Sequence, residues 1–414
     1  RLIDICRKLE GCVRHASIHA AGIIITPTPL IDNIPLQKES DGERLITQYD
    51  MYALDENMQS NAIGAIKLDL LGIRNLSILE KAVKLIKIRH NIDIDIGNLP
   101  HPDKKTFDML SKGLTFGVFQ LGSSGMTRYL KELRPNNIFD ISAMIALYRP
   151  GPMQFIPDYI ARKHNPKLIS YLDPELERIL YRTYGILVYQ DDLLIIAHDL
   201  AGYSWEEVDK FRKAVGKKIP AEMAKQKEKF IKGCISTSGW SEAKAEQIWT
   251  WIEPFAAYGF NKSHSASYSL VGYQTAYLKA NYPVEFMAAV MTAESGDEDK
   301  IYAAVEECKK MGVAVLPPDV TESYGDFTVI DEHTIRFGLR AIKNLGSDVV
   351  RKIIDSHKSG VVFENLEHFL TESYTKSFNK RSWEALVKAG ALDRFGERGQ
   401  LLAACTGRRV LLAE

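Results

Sequence analysis

No stretch of this sequence is long and apolar enough to span a membrane. The richest, HAAGIIITPTPLI, is short and broken by prolines, so it reads as strand and turn. Net charge is missing too: 53 Lys and Arg balance 53 Asp and Glu. No overall basicity advertises a polyanionic partner, and any such signal must come from local patches. Cysteine is scarce: the five, Cys6, Cys12, Cys234, Cys308 and Cys405, are scattered and form no Cys-x-x-Cys pair. That argues against a disulfide framework and suits a reducing cytoplasm. A secretory signal, low-complexity tracts and long-period repeats are also absent. What remains is an ordinary globular composition, 45% hydrophobic and 26% charged, over 414 residues, enough for two or three domains. The sequence opens at Arg1 inside a helical pattern and stops abruptly at TGRRVLLAE. The expectation is a segment of a longer polypeptide, with part of the chemistry carried elsewhere.

Three stretches differ in character. Up to about residue 75 the pattern is mixed: SIHAAGIIITP, ERLITQYD and AIGAIKLDLLGI have the β-branched and apolar runs of strands buried in a sheet. RNLSILEKAVKLIKIRH then places Leu76, Leu79, Val83 and Ile86 at helical spacing. From about 100 to 310 the reading is mainly helical, punctuated by Gly and Pro. HPDKKTFDML starts a helix, LYRPGPMQFIP is a proline-stiffened loop, and Ser204 with Glu207 forms a capping box before a basic helix. SHSASYSLVGYQTAYLKANYPVEF reads as a long helix ending before Pro283. Beyond 311, VAVLPPDV reads as an extended link, DFTVIDEHTIRFGL as a hairpin, and AIKNLGSDVVRKIIDSH as helix, tight Gly turn and helix. SWEALVKAGALDRFG repeats that helix-turn shape.

Several constellations carry chemistry, each beside a plainer reading. NIDIDIGNLP holds Asp93 and Asp95 in apolar alternation; on a strand, carboxylates at i and i+2 share a face, as metal-binding pairs do in phosphoryl-transfer sites. In AIKLDLLGI, Asp69 sits alone among apolar residues, a costly place unless it is paired or binds a metal, and Lys67 at i−2 shares its face. An internal ion pair is the plainer reading. In DKFRKAVGKK there are five Lys or Arg from Lys210 to Lys218 and no acid. Lys210, Lys213 and Lys217 share a helical face that could hold phosphates or simply be solvated. AAYGFNKSHSASYS sets Tyr258 and Phe260 beside Asn261, Lys262 and His264, which can stack a base and hold phosphate; buried aromatics at a helix entry is the plainer alternative. Neighbouring Ser263, His264 and Ser265 diverge and make no hydrolase triad. Cys12, His15 and His19 lack a fourth zinc ligand, leaving His19 as a packed or phosphate-facing histidine. A Gly turn in IKNLGSDVV, with Arg340, Lys343, Arg351 and Lys352 around it, would offer backbone N–H groups to a DNA phosphate.

Together these stretches resemble the alpha subunits of bacterial DNA polymerase III, the C-family replicative polymerases. RHASIHAAGIIITP, AIKLDLLGIRNL, GVFQLGSSGM, ALYRPGP, GILVYQDD, FRKAVGKKIPAEMAKQKEKF, FAAYGFNKSHSASYSLVGYQTAYLKANYPVEFMAAVMTAE, LPPDV and KAGALDRFG occur in the family's order across nearly the whole chain. YRPGP with GFNKSHSA is the most specific combination. The resemblance implies a multidomain α+β chain. Residues 1–75 would be the end of the thumb and an α/β palm remnant of polymerase-beta-like nucleotidyltransferase type. Residues 76–310 would be mainly α-helical fingers, and 311–414 a linker, hairpin and helix-hairpin-helix DNA-binding region.

It also implies roles. In the family an Asp-x-Asp pair precedes a third aspartate in a Lys-x-Asp strand. Asp69 matches the third and would ligate metal, with Lys67 as its catalytic neighbour. Asp93 and Asp95 follow Asp69 and so are decoys; the true pair is expected upstream of Arg1. Arg212 and Lys213 match a basic pair for the triphosphate, where the family often has two arginines. Arg149, Tyr258, Phe260, Lys262 and His264 match positions at the nucleotide. DNA contacts are expected from His19, Lys217, Lys218, Lys343, Asn344 and Gly346. Gly122 stands where a Glu is usual. The implied function is template-directed DNA synthesis in the cytoplasm with two Mg²⁺ ions. Its partners would be primer–template DNA and dNTPs, and, through parts mostly outside this chain, a sliding clamp, a clamp loader and a proofreading subunit. No membrane is involved. This segment alone would not polymerise, and the alternative is a non-catalytic helical protein that binds DNA and nucleotide.

Overall fold

The computed structural model describes residues 1–12, 18–39, 42–55, 61–217, 220–255 and 259–407, with the side chains of 213, 215–217, 220–222, 254, 255 and 404–407 left undescribed. The chain divides into two compact units, 1–73 and 74–414.

The first unit begins with helix α1 (Leu2–Leu9) and contains strands β1 (Gly22–Ile25), β2 (Leu36–Lys38) and β3 (Leu45–Thr47). Helix α2 (Met51–Leu54) and strand β4 (Ile66–Asp69) complete it. Asp50 caps α2 by accepting the Ala53 N–H at 2.9 Å. β1 and β4 pair antiparallel, with Gly22 opposite Asp69, Ile23 opposite Leu68, Ile24 opposite Lys67 and Ile25 opposite Ile66; β2 and β3 form a separate hairpin. Cross-strand partners share a face. Gly22, Ile24, Lys67 and Asp69 therefore line one side, and the small core of Ile34, Leu54 and Ala65 packs against Ile24. The other side, Ile23, Ile25, Ile66 and Leu68, is bare, with Ile66 64% exposed. The expectation of strands buried in a sheet fails here. The ribbon has two strands and packs its core on one side, so among the described residues of this unit the other apolar face stays exposed.

The second unit is mainly helical. It runs α3 (Arg74–His90), α4 (Lys104–Ser111), α5 (Ser124–Leu133), α6 (Ile138–Leu147), α7 (Ile156–His164), α8 (Pro174–Leu180) and α9 (Gln190–Asp199). It continues α10 (Trp205–Lys217), α11 (Pro220–Ser238), α12 (Glu242–Phe255), α13 (Lys262–Asn281), α14 (Pro283–Ala293) and α15 (Glu298–Lys310). Side-chain caps start many of these helices: Asp103 on Thr106 N–H, Asn137 on Asp140 N–H, Asn261 on His264 N–H. Ser204 and Glu207 form the expected capping box, with N–H contacts of 3.3 and 3.0 Å. Three cores follow from the packing. One joins α4–α7 to α13 through Leu110, Leu130, Met144 and Tyr273. A second joins α8–α12 through Phe211, Phe230 and Trp249. A third sets α3, α14 and α15 against a small sheet through Ile86, Phe286, Met287 and Ile335. α13 touches the first and third cores. At Gly272 a Cβ would lie 3.2 Å from the Phe119 carbonyl, so any side chain there would press that carbonyl back by a few tenths of an ångström.

The third sheet has the order β5 (Ala314–Leu316), β7 (Thr334–Arg336), β6 (Thr328–Val329). The hairpin is where the sequence placed it, but VAVLPPDV is more than a link, because β5 adds to β7 in parallel. After it come α16 (Ser347–Lys358), α17 (Leu366–Ser373), α18 (Lys380–Lys388) and α19 (Arg398–Gly407), packed through Val349, Ile353, Phe369, Trp383 and Leu386. The first arm of the expected helix-hairpin-helix is a single 3₁₀ turn, Leu339–Ala341. Its left-handed residue is Asn344 (φ 65°), not Gly346 (φ −66°). Asn tolerates that conformation nearly as well as Gly, which explains why the glycine pointed to the wrong position. Among the described residues no helix is long and apolar enough to cross a membrane.

Candidate functional site

The first unit gathers three polar side chains at one end of the β1–β4 ribbon. Asp69 Oδ1 accepts from Lys67 Nζ at 2.5 Å and lies 3.7 Å from His19 Nδ1. The Lys67 side chain is 9% exposed, whereas Asp69 is half exposed. Burying the aliphatic stem of Lys67 against the core leaves its ammonium one direction to point, toward Asp69. Gly22, directly across the ribbon, makes room: a Cβ there would sit 3.0 Å from His19 Nδ1 and 3.3 Å from Lys67 Cε. The hydrogen bond from Lys67, more than its charge or that of His19, holds the Asp69 carboxyl below its ordinary value. The site therefore presents an ionised, accessible carboxylate. Among the described residues no three His, Cys, Asp or Glu side chains cluster as metal ligands, so Asp69 fits one corner of a divalent-metal site and cannot organise two ions by itself.

Asp93 and Asp95 are not on a strand. Asp93 pairs with Lys87 at 2.5 Å, and Asp95 caps a short 3₁₀ turn through Gly97 N–H and the Asn98 amide at 2.9 and 2.6 Å. Each is held by its own local partner.

In the second unit, Phe260 pairs as an isolated parallel bridge with Tyr189, and the Gln190 N–H donates to the Phe260 carbonyl at 2.8 Å. The Arg149 guanidinium lies 4.3 Å from the Phe260 ring centre. Its Nε donates to the Ala146 carbonyl at 3.1 Å, so the end of α6 aims it. His264, one turn into α13, contacts Phe260 and Tyr268 at ring-centre distances of 5.4 and 4.0 Å, and Tyr268 meets Phe119 at 5.0 Å. Arg149, Phe260 and His264 thus form one cation–aromatic cluster. Lys262 is adjacent in sequence but differently engaged: its Nζ donates to Asp192 Oδ1 at 2.8 Å and lies 5.3 Å from the Tyr189 ring centre. Tyr258 lies outside the described residues. Sequence reasoning missed Asp191, Asp192 and Tyr189. The adjacent carboxylates in YQDD, at the start of a helix, were the available signal.

The basic helix α10 carries Arg212, whose Nη2 is paired with Asp209 at 2.9 Å. Lys213 and Lys217 belong to α10 with side chains outside the described set, and Lys218 lies outside it altogether. At the 341–347 turn Lys343 Nζ pairs with Glu298 at 2.7 Å, and Asn344 Oδ1 accepts from Arg381 Nη2 at 2.6 Å. Gly346 precedes α16 with no side-chain cap, leaving the first N–H groups of that helix without one. Gly122 packs against backbone: a Cβ would approach the Thr115 carbonyl to 3.1 Å.

Comparison with known proteins accounts for these features in one order. Residues 1–72 match the bacterial DNA polymerase III alpha NTPase domain, residues 75–238 the finger domain of the same subunit, and residues 312–401 a helix-hairpin-helix motif. The chain belongs to the bacterial DNA polymerase III alpha subunit family. It is 46% identical over 408 residues to the DNA polymerase III subunit alpha of Thermus aquaticus, covering 97% of this chain and 33% of that protein. With the Aquifex aeolicus subunit it shares 43% over 395 residues, covering 95% and 33%. With that of Escherichia coli K12 it shares 42% over 406 residues, covering 95% and 34%. The chain spans about a third of the length of these relatives.

Proposed function

We propose that this chain forms part of a replicative DNA polymerase and contributes to template-directed DNA synthesis in the cytoplasm. In this reading 1–75 is the end of the thumb and part of a nucleotidyltransferase palm, 76–310 the fingers and 311–414 the linker and helix-hairpin-helix region. One observation carries it: Lys67 and Asp69 share a face of a short strand, bonded at 2.5 Å, with the carboxylate open to solvent. Nucleotidyl transfer needs a carboxylate ionised at neutral pH, as an exposed aspartate is, and the hydrogen bond from Lys67 lowers its pKa further and fixes its position.

Divalent metal, Mg²⁺ in this proposal, would draw Asp69 as one ligand and would activate the primer 3′-hydroxyl and stabilise the leaving oxygens. Lys67 offsets phosphate charge near Asp69. His19 stands at the same corner and faces the backbone of primer or template. In the fingers, Arg149 with Phe260 and His264 presents a cation on an aromatic face, suited to an incoming dNTP; Arg212, Lys213 and Lys262, with Tyr258, complete the triphosphate and sugar contacts. Lys217, Lys218 and the Lys343–Gly346 turn bind DNA backbone without reading sequence. Clamp, clamp loader and proofreading subunit are assigned to parts mostly beyond these residues.

A lone carboxylate favours a second statement: these 414 residues by themselves bind duplex and nucleotide without extending a primer. Completing the chain to the length of the Thermus aquaticus relative, with that protein's own flanking residues, should restore extension in the presence of dNTPs and magnesium. The 414 residues alone should bind duplex with an affinity that falls steeply with salt. Extension by neither form, or duplex binding indifferent to salt, would contradict the proposal.

A further inference from the structure

Asp192 is the most unusual carboxylate in the second unit. It is 1% exposed, and its Oδ1 accepts from Lys262 Nζ at 2.8 Å. Among the described residues Oδ2 has no hydrogen-bond partner. Burying a carboxylate with a spare oxygen is costly, and the packing here does not repay it. Two other buried carboxylates show what a purely structural arrangement looks like. Glu307 accepts Lys279 Nζ and the Phe116 N–H on Oε1, and Lys310 Nζ lies 3.9 Å from Oε2. Asp140 uses both oxygens, accepting Lys163, the Asn137 amide and the Asn136 N–H on Oδ2 and the Tyr159 and Tyr184 hydroxyls on Oδ1. Asp192 lies in the first turn of α9, where the helix dipole favours a negative charge, and its neighbour Asp191 accepts the backbone N–H of Lys262 at 2.8 Å. One residue, Lys262, is thus held twice by successive carboxylates, by its main chain and by its ammonium. The preceding residues are tied to the same segment through the Tyr189–Phe260 bridge and the Gln190 N–H.

The pair is also asymmetric. Asp192 is buried, but the Lys262 side chain is 40% exposed. An ammonium has three donors, and one is spent on Asp192, so the others face outward from a fixed position.

We propose that Asp192 is a positioning residue for nucleotide: it fixes the Lys262 ammonium beside the Phe260 cluster, with donors left free for the phosphates of an incoming dNTP. This rests on the reading of Lys262 as a phosphate contact. It predicts that residues 192 and 262 are coupled in nucleotide binding as well as in folding. A fixed donor loses less entropy on binding than a mobile one, so preorganisation appears directly as affinity.

The test is a double-mutant cycle on the 414-residue chain with Asp192→Asn, Lys262→Met and both together. Binding of Mg·dATP is measured by calorimetry with a primer–template duplex present, and folding is checked by thermal unfolding. Lys262→Met should weaken dATP binding about tenfold, the loss of one charge-assisted contact. Asp192→Asn keeps the shape and leaves Lys262 charged, yet should lose about as much, and the double variant no more than either single one. Lys262→Met leaves the buried Asp192 charge without its lysine; the double variant removes that charge, so it keeps the phosphate contact testable if Lys262→Met alone unfolds. Equal dATP affinity in Asp192→Asn and the unsubstituted chain, with Lys262→Met still weakened, overturns the positioning role and leaves the phosphate contact standing. Additive losses overturn it as well. No affinity lost in Lys262→Met overturns the phosphate reading and this inference with it.

Discussion

The two units use the same lysine–carboxylate pair in opposite ways. In the first, the lysine stem is buried and the carboxylate is open: Lys67 is 9% exposed and Asp69 51%. In the second, the pairs of Lys279 with Glu307 and Lys163 with Asp140 are buried on both sides. The buried pairs are tied into the packing: Asp140 accepts on both oxygens, and Glu307 Oε1 accepts two hydrogen bonds. Lys279 alone donates to the Leu114 and Phe116 carbonyls as well as to Glu307. Such groups hold helices in register and have nothing left to offer a ligand. The open pair contributes little to folding, because solvent screens the half-exposed carboxylate. Its value is a carboxylate kept ionised where something else can reach it. Asp192 with Lys262 stands between these cases, with the exposures reversed.

Breaking a buried pair should produce the largest effect on stability. Lys279→Ala leaves Glu307 charged in the interior with the Phe116 N–H and a long 3.9 Å contact to Lys310, and should cost about 3–5 kcal/mol, read from denaturant unfolding; a cost within about 0.5 kcal/mol of zero would show that water reaches the site. At the 341–347 turn, Asn344→Val places a β-branched side chain at φ 65° and should cost about 1–2 kcal/mol, while Asn344→Gly stays within a few tenths. Equal costs for both would mean that the Asn344 bond to Arg381, not the backbone, holds the turn. The exposed pair of Lys232 with Glu228 should matter least of all, and what it contributes should fade with salt.

The open pair can be sharpened by titration. Lys67 holds the Asp69 carboxyl down chiefly by its hydrogen bond. By NMR, Asp69 should titrate below the usual aspartate value of about 3.9 and remain ionised at all higher pH. In Lys67→Met it should move up toward that value. Gly22→Ala, which crowds both His19 and Lys67, should move it part of the way without unfolding the unit. An Asp69 titration unchanged by either substitution would show that Lys67 does not govern the site.

Much of this was legible in the residues themselves. Helical spacing, capping residues and prolines located the long helices, because those signals act within a few residues. The Lys67–Asp69 relation was readable because strand periodicity fixes the face. What was not readable depended on distant partners. Nothing near Ile66 and Leu68 in sequence says that their side of the ribbon is bare. Asp191 and Asp192 act on Lys262 from 71 and 70 residues away. The left-handed residue fell to Asn344, because asparagine tolerates that conformation, and Gly346 was free to start a helix.

The most direct test of the account is primer extension by the chain completed to the length of the Thermus aquaticus relative, with Asp69 intact and as Asp69→Asn, and duplex binding measured alongside. The account predicts that Asp69→Asn abolishes extension while duplex binding is retained. Normal extension by Asp69→Asn would contradict it, and would return Asp93 and Asp95 as the carboxylates to examine.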